Sequence, residues 1–314
     1  MSAADVIEAA AAILGGRAQR GVSLGLHTTY RVGGPAALFV AFDDDSAVEA
    51  VTDAVRTTGV DVLVVGKGSN LLVADAGFPG LALVLGDAFA AVDVVGTSLR
   101  AGGAASLPVV ARRSVAAGLT GFEWAVGVPG SIGGGVRMNA GGHGSDMAAT
   151  LVGVRVVDLR TGEDGEVPAA SLQLGYRCSS LAPEHLVLHA ELALTAGDPS
   201  LGAAELAEIV AWRRANQPGG PNAGSVFTNP PGDSAGRLID AAGGKGLRVG
   251  TAEVSAKHAN FIQSDAGGRA DDVRDLMVAI QDLVRVHAGV ELTAETRCVG
   301  FDDPSRNPRP RIEG

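Results

Sequence analysis

At 314 residues, and about 100–200 residues per domain, the chain has length for two or three domains and a sizeable core. Apolar residues make up 46% and charged residues 19%, which excludes an intrinsically disordered chain. The net charge of −10, from 25 Lys and Arg against 35 Asp and Glu, argues against nucleic acid or an anionic membrane as a general partner.

In chain order, residues 1–23 read as an alanine-rich helical lead-in. Asp5 and Glu8 precede the alanine run with no Lys or Arg, so no secretory signal is expected. Ser46 to Glu49 has the form of a capping box, and Val48, Val51, Ala54 and Val55 follow at helical spacing until Gly59. Val62–Val65 is a short apolar strand running into Gly66-Lys67-Gly68-Ser69-Asn70, after which Leu71-Leu72-Val73 reads as strand. Strands are expected at 81–85, 92–95, 99–102, 152–158 and 186–194, with a hairpin-type turn at Arg160-Thr161-Gly162. Helices are expected at 107–117, 202–215 and 271–288. The last carries Val273, Leu276, Met277, Ile280, Leu283 and Val284 on one face, with Asp271 and Asp272 at its positive end. A glycine-dense loop region is expected over 127–144, and a loose tail from Asp302 onward. No apolar stretch approaches the ~20 residues that span a bilayer, so no membrane segment is expected.

Several positions could carry chemistry. Glycine, with 45 residues, is about twice its usual 7% share, which directs attention to loops. The Gly66–Asn70 loop could converge its amides on a phosphate, yet it matches neither GxGxxG nor GxxxxGK[ST]. Taken alone it reads as an ordinary hairpin turn. The run from Gly127 through Gly130, Ser131, Gly133 and Gly134 to Asn139 reads instead as main-chain donors left open to a flat or anionic ligand. Ser225, between Gly224 and an apolar pair, is not in a GxSxG context and reads as a turn serine. Over 210–260, six cations (Arg213, Arg214, Arg237, Lys245, Arg248, Lys257) against Asp233, Asp240 and Glu253 leave +3, a region to draw an anion. His185, His189 and His287 read as packing or surface residues. Cys178 and Cys298, far apart and without ligand spacing, indicate neither a disulfide framework nor a metal site. A reducing, cytoplasmic setting is expected.

Taken together, seven motifs stop being generic. Thr28-Thr29-Tyr30-Arg31-Val32-Gly33-Gly34-Pro35-Ala36, the Gly66–Asn70 loop, Val128-Pro129-Gly130-Ser131-Ile132-Gly133-Gly134, Gly175-Tyr176-Arg177, Gly224-Ser225-Val226-Phe227, Lys257-His258-Ala259-Asn260-Phe261 and Glu295-Thr296-Arg297 stand in an order that closely resembles the bacterial UDP-N-acetylenolpyruvoylglucosamine reductases, from about residue 24 to 301. The resemblance implies an α+β flavoprotein: an FAD-binding module of the vanillyl-alcohol oxidase type over 24–197, in subdomains of about 24–79 and 80–197, then a substrate domain over 198–301. It implies FAD wrapped by Arg31, Val32, Gly33, Gly66, Lys67, Gly68, Ser69, Asn70, Leu71, Gly127, Pro129, Gly130, Ser131, Gly133, Gly134 and Asn139. NADPH would be the reductant and a UDP-sugar the substrate, in a monomer with no metal. Arg177 and Glu295 would stabilise the reaction intermediate and Ser225 would supply a proton. Glu295 would need a raised pKa or an arginine partner for this role. Tyr176, Arg214, Asn229 and Lys257 would bind substrate. Three positions depart from the family pattern: Lys67 in place of a loop glycine, His143 in place of tyrosine, and Cys178 where a polar residue is commoner. A related flavin oxidase, whose covalent-flavin histidine could only be His143, and a non-catalytic nucleotide-binding protein of the same fold are the alternatives.

Overall fold

The computed structural model describes residues 2–42 and 44–301; the tail from Asp302 onward lies outside the described residues. Contacts divide the chain into two compact units, and the division cuts across consecutive boundaries. The first comprises Met1–Val22, Ala37–Lys67 and Pro79–Arg213; the second comprises Ser23–Ala36, Gly68–Phe78 and the chain from Arg214.

The first unit holds two larger sheets. One runs in the order Gln19–Ser23, Pro35–Phe42, Phe78–Leu85, Val62–Val65, the last pair parallel with Val62 opposite Leu81. A run of four β-branched and leucine residues suits a parallel strand covered on both faces. Helices Ala3–Leu14 and Asp45–Thr58 supply Ala10, Leu14, Val48, Val51 and Val55 to the core formed with Leu38, Val40, Phe42, Leu81 and Leu83. The expected capping box at Ser46 is not what starts the second helix. Asp44 has the extended cap geometry and its Oδ1 accepts from Ala47 N–H at 3.0 Å, so Ser46 falls inside the first turn and donates to the same carboxylate.

The other sheet is antiparallel throughout, in the order Asp164–Pro168, Leu151–Asp158, His185–Ala193, Ser98–Gly102, Val92–Val95. Its hairpin turns at the expected place, with Gly162 at φ +81° donating to Asp158 O at 2.8 Å. Leu107–Ala116 packs on this sheet's core, and so does Pro199–Asn216, through Ile209, although that helix was expected to open the C-terminal domain. A Cβ on Gly202 would meet Val115 Cγ1 at 2.8 Å, so the two helices touch backbone to side chain. The expected loop at 127–144 contains a helix, Ile132–Arg137. Its glycines fit because the space is taken: a Cβ on Gly135 would lie 2.9 Å from Met147 Cε.

In the second unit the chain returns twice to one core. Leu71–Val73 pairs in parallel with Arg297–Val299 and not with Val62–Val65, so the Gly66–Asn70 loop is not a hairpin turn. Tyr30, Val32 and Leu72 join Val226, Phe227 and the buried face of Ala270–Ala288: Val273, Leu276, Met277, Ile280 and Val284. Leu283 is only half-buried. A small antiparallel sheet, Arg248–Val249, Ala252–Val254 and Ile262–Ser264, completes this core. The long helix has no side-chain cap from Arg269; instead Asp75 accepts from Ala270 N–H at 2.9 Å and Asp271 N–H at 3.3 Å. This cap is nearly two hundred residues away in sequence and invisible to local pattern. Among the described residues no helix is long and apolar enough to cross a membrane.

Removing the distant cap should cost about 1 kcal/mol: Asp75→Ala lowers the urea midpoint accordingly, while Asp75→Asn, which keeps an acceptor, loses less.

Candidate functional site

In the first unit two glycine loops meet. Gly66 leaves the strand Val62–Val65, and a Cβ placed on it would lie 2.5 Å from Ser131 Oγ, so only a bare Cα lets the loops close to this distance. Ser131 is buried and caps Ile132–Arg137, its Oγ accepting from Gly134 N–H at 3.4 Å. Gly66, Lys67, Gly103, Gly133 and Gly134 edge a cleft of about 620 Å³ counting its open mouth. The expected open row of donors is corrected here: Ile132 N–H donates to Ala105 O at 2.8 Å and Gly133 N–H to Gly103 O at 2.9 Å. A helical turn buried against a strand end must satisfy its first amides, and neighbouring carbonyls do so. Gly103, Arg137 and His185 also line the cleft and were not singled out as binding residues; the doublet Gly102-Gly103 at a strand end was the available signal.

Other expected cofactor positions serve the interior. A Cβ on Gly127 would lie 2.9 Å from Ile209 Cγ2 and 3.0 Å from His143 Nε2, so this glycine makes room for the His143 ring. That ring stands edge to face with Trp212, centroids 5.2 Å apart. Gly130 O accepts from Leu107 N–H at 3.0 Å, beside an exposed Pro129. Asn139 is buried to 2% exposure; its Nδ2 donates to Gly175 O at 2.9 Å and Asp146 Oδ2 at 3.1 Å, and its Oδ1 accepts from Ala148 N–H at 2.9 Å. Its side chain positions a turn.

That turn carries Arg177. Gly175 N–H donates to Cys178 O at 3.1 Å and Cys178 N–H to Gly175 O at 3.3 Å, leaving Tyr176 and Arg177 at the tip. Arg177 has φ +58°, the left-handed conformation that glycine or asparagine usually fills at this corner. It is half-buried, donates from Nη2 to Gly141 O at 2.9 Å, and its guanidinium lies 5.3 Å from the centroid of the exposed Tyr176 ring. The structure puts it on a fixed turn.

In the second unit Ser225 and Glu295, both half-buried, flank one pinned segment. Val226 N–H donates to Asn260 O at 2.9 Å, Phe227 N–H to Asn260 Oδ1 at 3.0 Å, and Asn260 Nδ2 to Phe227 O at 2.8 Å. From the other side Glu295 N–H donates to Val226 O at 2.8 Å. Asn70 Nδ2 donates to Glu295 O at 3.0 Å, so Asn70 holds the main chain of Glu295. Gly68, at φ +60°, abuts the backbone at His27 O, and Val32 and Leu71 are core. A Cβ on Gly33 would lie 2.7 Å from Val73 O. These positions build the frame, while Arg31 at φ +57° is exposed.

Of the substrate candidates, exposed Lys257 donates from Nζ to Arg214 O at 2.5 Å, and Asn229 Oδ1 accepts from Ala235 N–H at 3.0 Å, closing a helix start. The basic stretch is largely matched locally: Arg237 pairs with Asp233, Lys245 with Asp240 at 2.6 Å, and Arg248 with Glu253 at 2.8 Å and with Asp265. These pairs take up all three acids counted in the stretch, so its +3 rests on Arg213, Arg214 and Lys257. Cys178 and Cys298 form no disulfide, and burial pushes the Cys298 thiol up to about 11 against the opposing pull of Arg274, leaving it a poor nucleophile.

Comparisons with known proteins align with this layout. Residues 215–299 match the family model of the UDP-N-acetylenolpyruvoylglucosamine reductase C-terminal domain, and residues 36–164 match that of an FAD binding domain. The chain is 42% identical over 280 residues to the UDP-N-acetylenolpyruvoylglucosamine reductase of Heliobacterium modesticaldum, covering 87% of this chain and 88% of that one. It is 40% identical over 279 residues to the reductase of the same name from Rubrobacter xylanophilus, covering 87% and 92%. The crystal structure of UDP-N-acetylenolpyruvylglucosamine reductase from Thermus caldophilus superposes with a TM-score of 0.80 at 35% identity, covering 90% of this chain and 99% of that one.

Left-handed backbone at Arg177 predicts opposite effects on stability and activity. Arg177→Gly should be more stable than Arg177→Ala by about 1 kcal/mol in thermal unfolding, with both variants losing turnover.

Proposed function

This chain belongs to the UDP-N-acetylenolpyruvoylglucosamine reductase family, and on that premise we propose that it reduces the enolpyruvyl group of UDP-N-acetylenolpyruvoylglucosamine to give UDP-N-acetylmuramate, with NADPH as electron donor and FAD as cofactor, in peptidoglycan precursor synthesis. Relatives of the same name, matched over most of their length, support it, as does a first unit whose glycine-edged cleft suits a large phosphate-bearing ligand. Gly66, Lys67, Ser131, Gly133 and Gly134 would hold FAD there. Bound FAD would supply two-electron chemistry, accepting hydride from NADPH and delivering it to the enol double bond.

The chain's own residues have three tasks. A substrate carboxylate next to a developing negative charge needs a fixed cation, and Arg177 offers a permanently charged planar fork on a turn that Asn139 holds rigid. The carbon that gains electron density needs a proton. Ser225 would provide it, which a hydroxyl can do only for a strongly basic carbon within hydrogen-bond reach. Glu295 would assist as a protonated or cation-paired acid, since a bare carboxylate would repel the same charge. The observation that carries this assignment is that Ser225 immediately precedes Val226, whose N–H donates to Asn260 O and whose carbonyl accepts from Glu295 N–H, so both residues border one pinned segment.

Purified protein should be yellow. In anaerobic stopped-flow, NADPH should bleach the flavin and the enolpyruvyl sugar should restore it; recolouring by oxygen alone would select the oxidase alternative, and colourless protein that FAD cannot reconstitute would defeat both. Ser225→Ala should leave bleaching by NADPH intact and slow recolouring by substrate by about 10²–10⁴-fold. Equal slowing of both halves would make Ser225 structural.

A further inference from the structure

Gly141–Gly142 and Ser145–Asp146 form a ribbon of only two residue pairs, Gly141 opposite Asp146 and Gly142 opposite Ser145. His143 and Gly144 close it at φ +52° and +85°. Positive φ at both turn residues is the type I′ arrangement, in which asparagine, aspartate or glycine usually comes first. So short a ribbon is not stable by itself and needs anchors outside it. Asn139 ties its base by donating to Asp146 Oδ2 at 3.1 Å. The tip is held through the His143 ring, which occupies the space that Gly127 leaves open and stands edge to face with Trp212, with an interplanar angle of 88°. Trp212 follows Ile209 by three residues on one face of Pro199–Asn216; Ile209 is core, whereas Trp212 stays 47% exposed. A tryptophan this exposed contributes less by burial than by what its ring meets, and it meets the hairpin tip.

The hairpin bears on one of the proposed reacting groups. Gly141 O, two residues from the tip, accepts from Arg177 Nη2 at 2.9 Å and so sets one arm of the guanidinium fork. We infer that His143 and Trp212 are positioning residues for Arg177: their ring contact pins the hairpin tip and, through Gly141 O, aims the fork at the substrate's carboxylate. This rests on the flavoenzyme reading above and on the role it gives Arg177. His143, which the sequence marked only as a departure from the family's tyrosine, thereby acquires a task. A reacting group displaced by about 1 Å loses up to about 100-fold in rate, so a hairpin held at its base alone leaves the protein folded but the fork poorly aimed.

Holoenzyme reduced by NADPH and mixed anaerobically with the enolpyruvyl sugar reads the step that needs Arg177, while bleaching by NADPH reads the step that does not. Trp212→Ala and His143→Gly should each slow reoxidation at saturating sugar by about tenfold and leave bleaching within about twofold of the parent. His143→Gly also relieves the left-handed backbone, so its thermal midpoint should equal or exceed the parent's although its reoxidation slows. Trp212→Phe, which keeps a ring against His143, should recover most of the rate. The decisive comparison is additivity: in an Arg177→Ala background, Trp212→Ala should slow single-turnover reoxidation by no more than about twofold further, because its effect passes through the arginine. Full additional slowing in that background, equal slowing of both half-reactions, or unchanged reoxidation in both single variants would overturn the inference and leave the flavoenzyme reading standing. A parent enzyme whose reduced flavin the sugar does not reoxidise would defeat that reading, and this inference with it.

Discussion

A buried primary amide must find partners for its oxygen and its nitrogen, and Asn139 and Asn260 meet this constraint by fixing segments that bear the proposed reacting residues, joined by the half-buried Asn70. Asn139 ties the Arg177 turn to the hairpin at Gly141–Gly142 and Ser145–Asp146. Asn260 exchanges both its amide hydrogen bonds with the main chain of Phe227, as a neighbouring strand would, and its own carbonyl takes Val226 N–H. Asn70 fixes the carbonyl of Glu295. Leaving either buried amide, Asn139 or Asn260, unmatched costs about 1–3 kcal/mol, so the turn that bears Arg177 and the segment that bears Ser225 have little freedom to drift. Reactive side chains stand on irregular backbone here, and buried asparagine supplies the order that a regular ladder would otherwise give.

Glycine divides into two uses that composition cannot separate. Gly134 edges the cleft, where a bare peptide leaves room for a ligand. Gly33, Gly68, Gly127 and Gly135 are bare because other parts of the protein already occupy the Cβ position, whether the backbone at Val73 and His27 or the side chains of Ile209 and Met147. An excess of glycine therefore signals close approach in general, and only the fold tells whether a ligand or another segment does the approaching.

What was legible in the sequence follows from this. Helices with a strong apolar stripe, such as Ala270–Ala288, and strands with continuous apolar runs, such as Val62–Val65, declare themselves because local period and burial agree. The helix Ile132–Arg137 did not, since three glycines contradict helix propensity and tertiary packing overrides it. The compact units were illegible for a different reason: Leu71–Val73 pairs with Arg297–Val299, a contact of high sequence separation that no window contains. At the candidate site, the resemblance picked out Arg177, Ser225 and Glu295, but it could not separate residues that line the cleft from residues that support it. Asn70 and Asn139 donate to main-chain carbonyls and Val32 lies in the core, whereas Arg137 and His185 line the cleft without belonging to any quoted motif.

Backbone strain provides a criterion independent of resemblance. Among the described residues only Arg31, Asn139, His143, Gln173 and Arg177 take positive φ without being glycine. A left-handed conformation costs an ordinary residue about 1–2 kcal/mol, and glycine would remove the cost at once. Asparagine tolerates this region through its short polar side chain, which leaves the long or ringed residues to explain. At Arg177 the guanidinium reaches Gly141 O and Tyr176, and at His143 the ring meets Trp212; both side chains extend from a strained main chain toward neighbours that a glycine could not reach. Strain retained at the tip of a turn, where substitution by glycine would disturb no core, marks the side chain itself as the thing being kept. Arg177 satisfies that condition on geometry alone, and it is the same arginine to which the resemblance assigns the substrate's carboxylate.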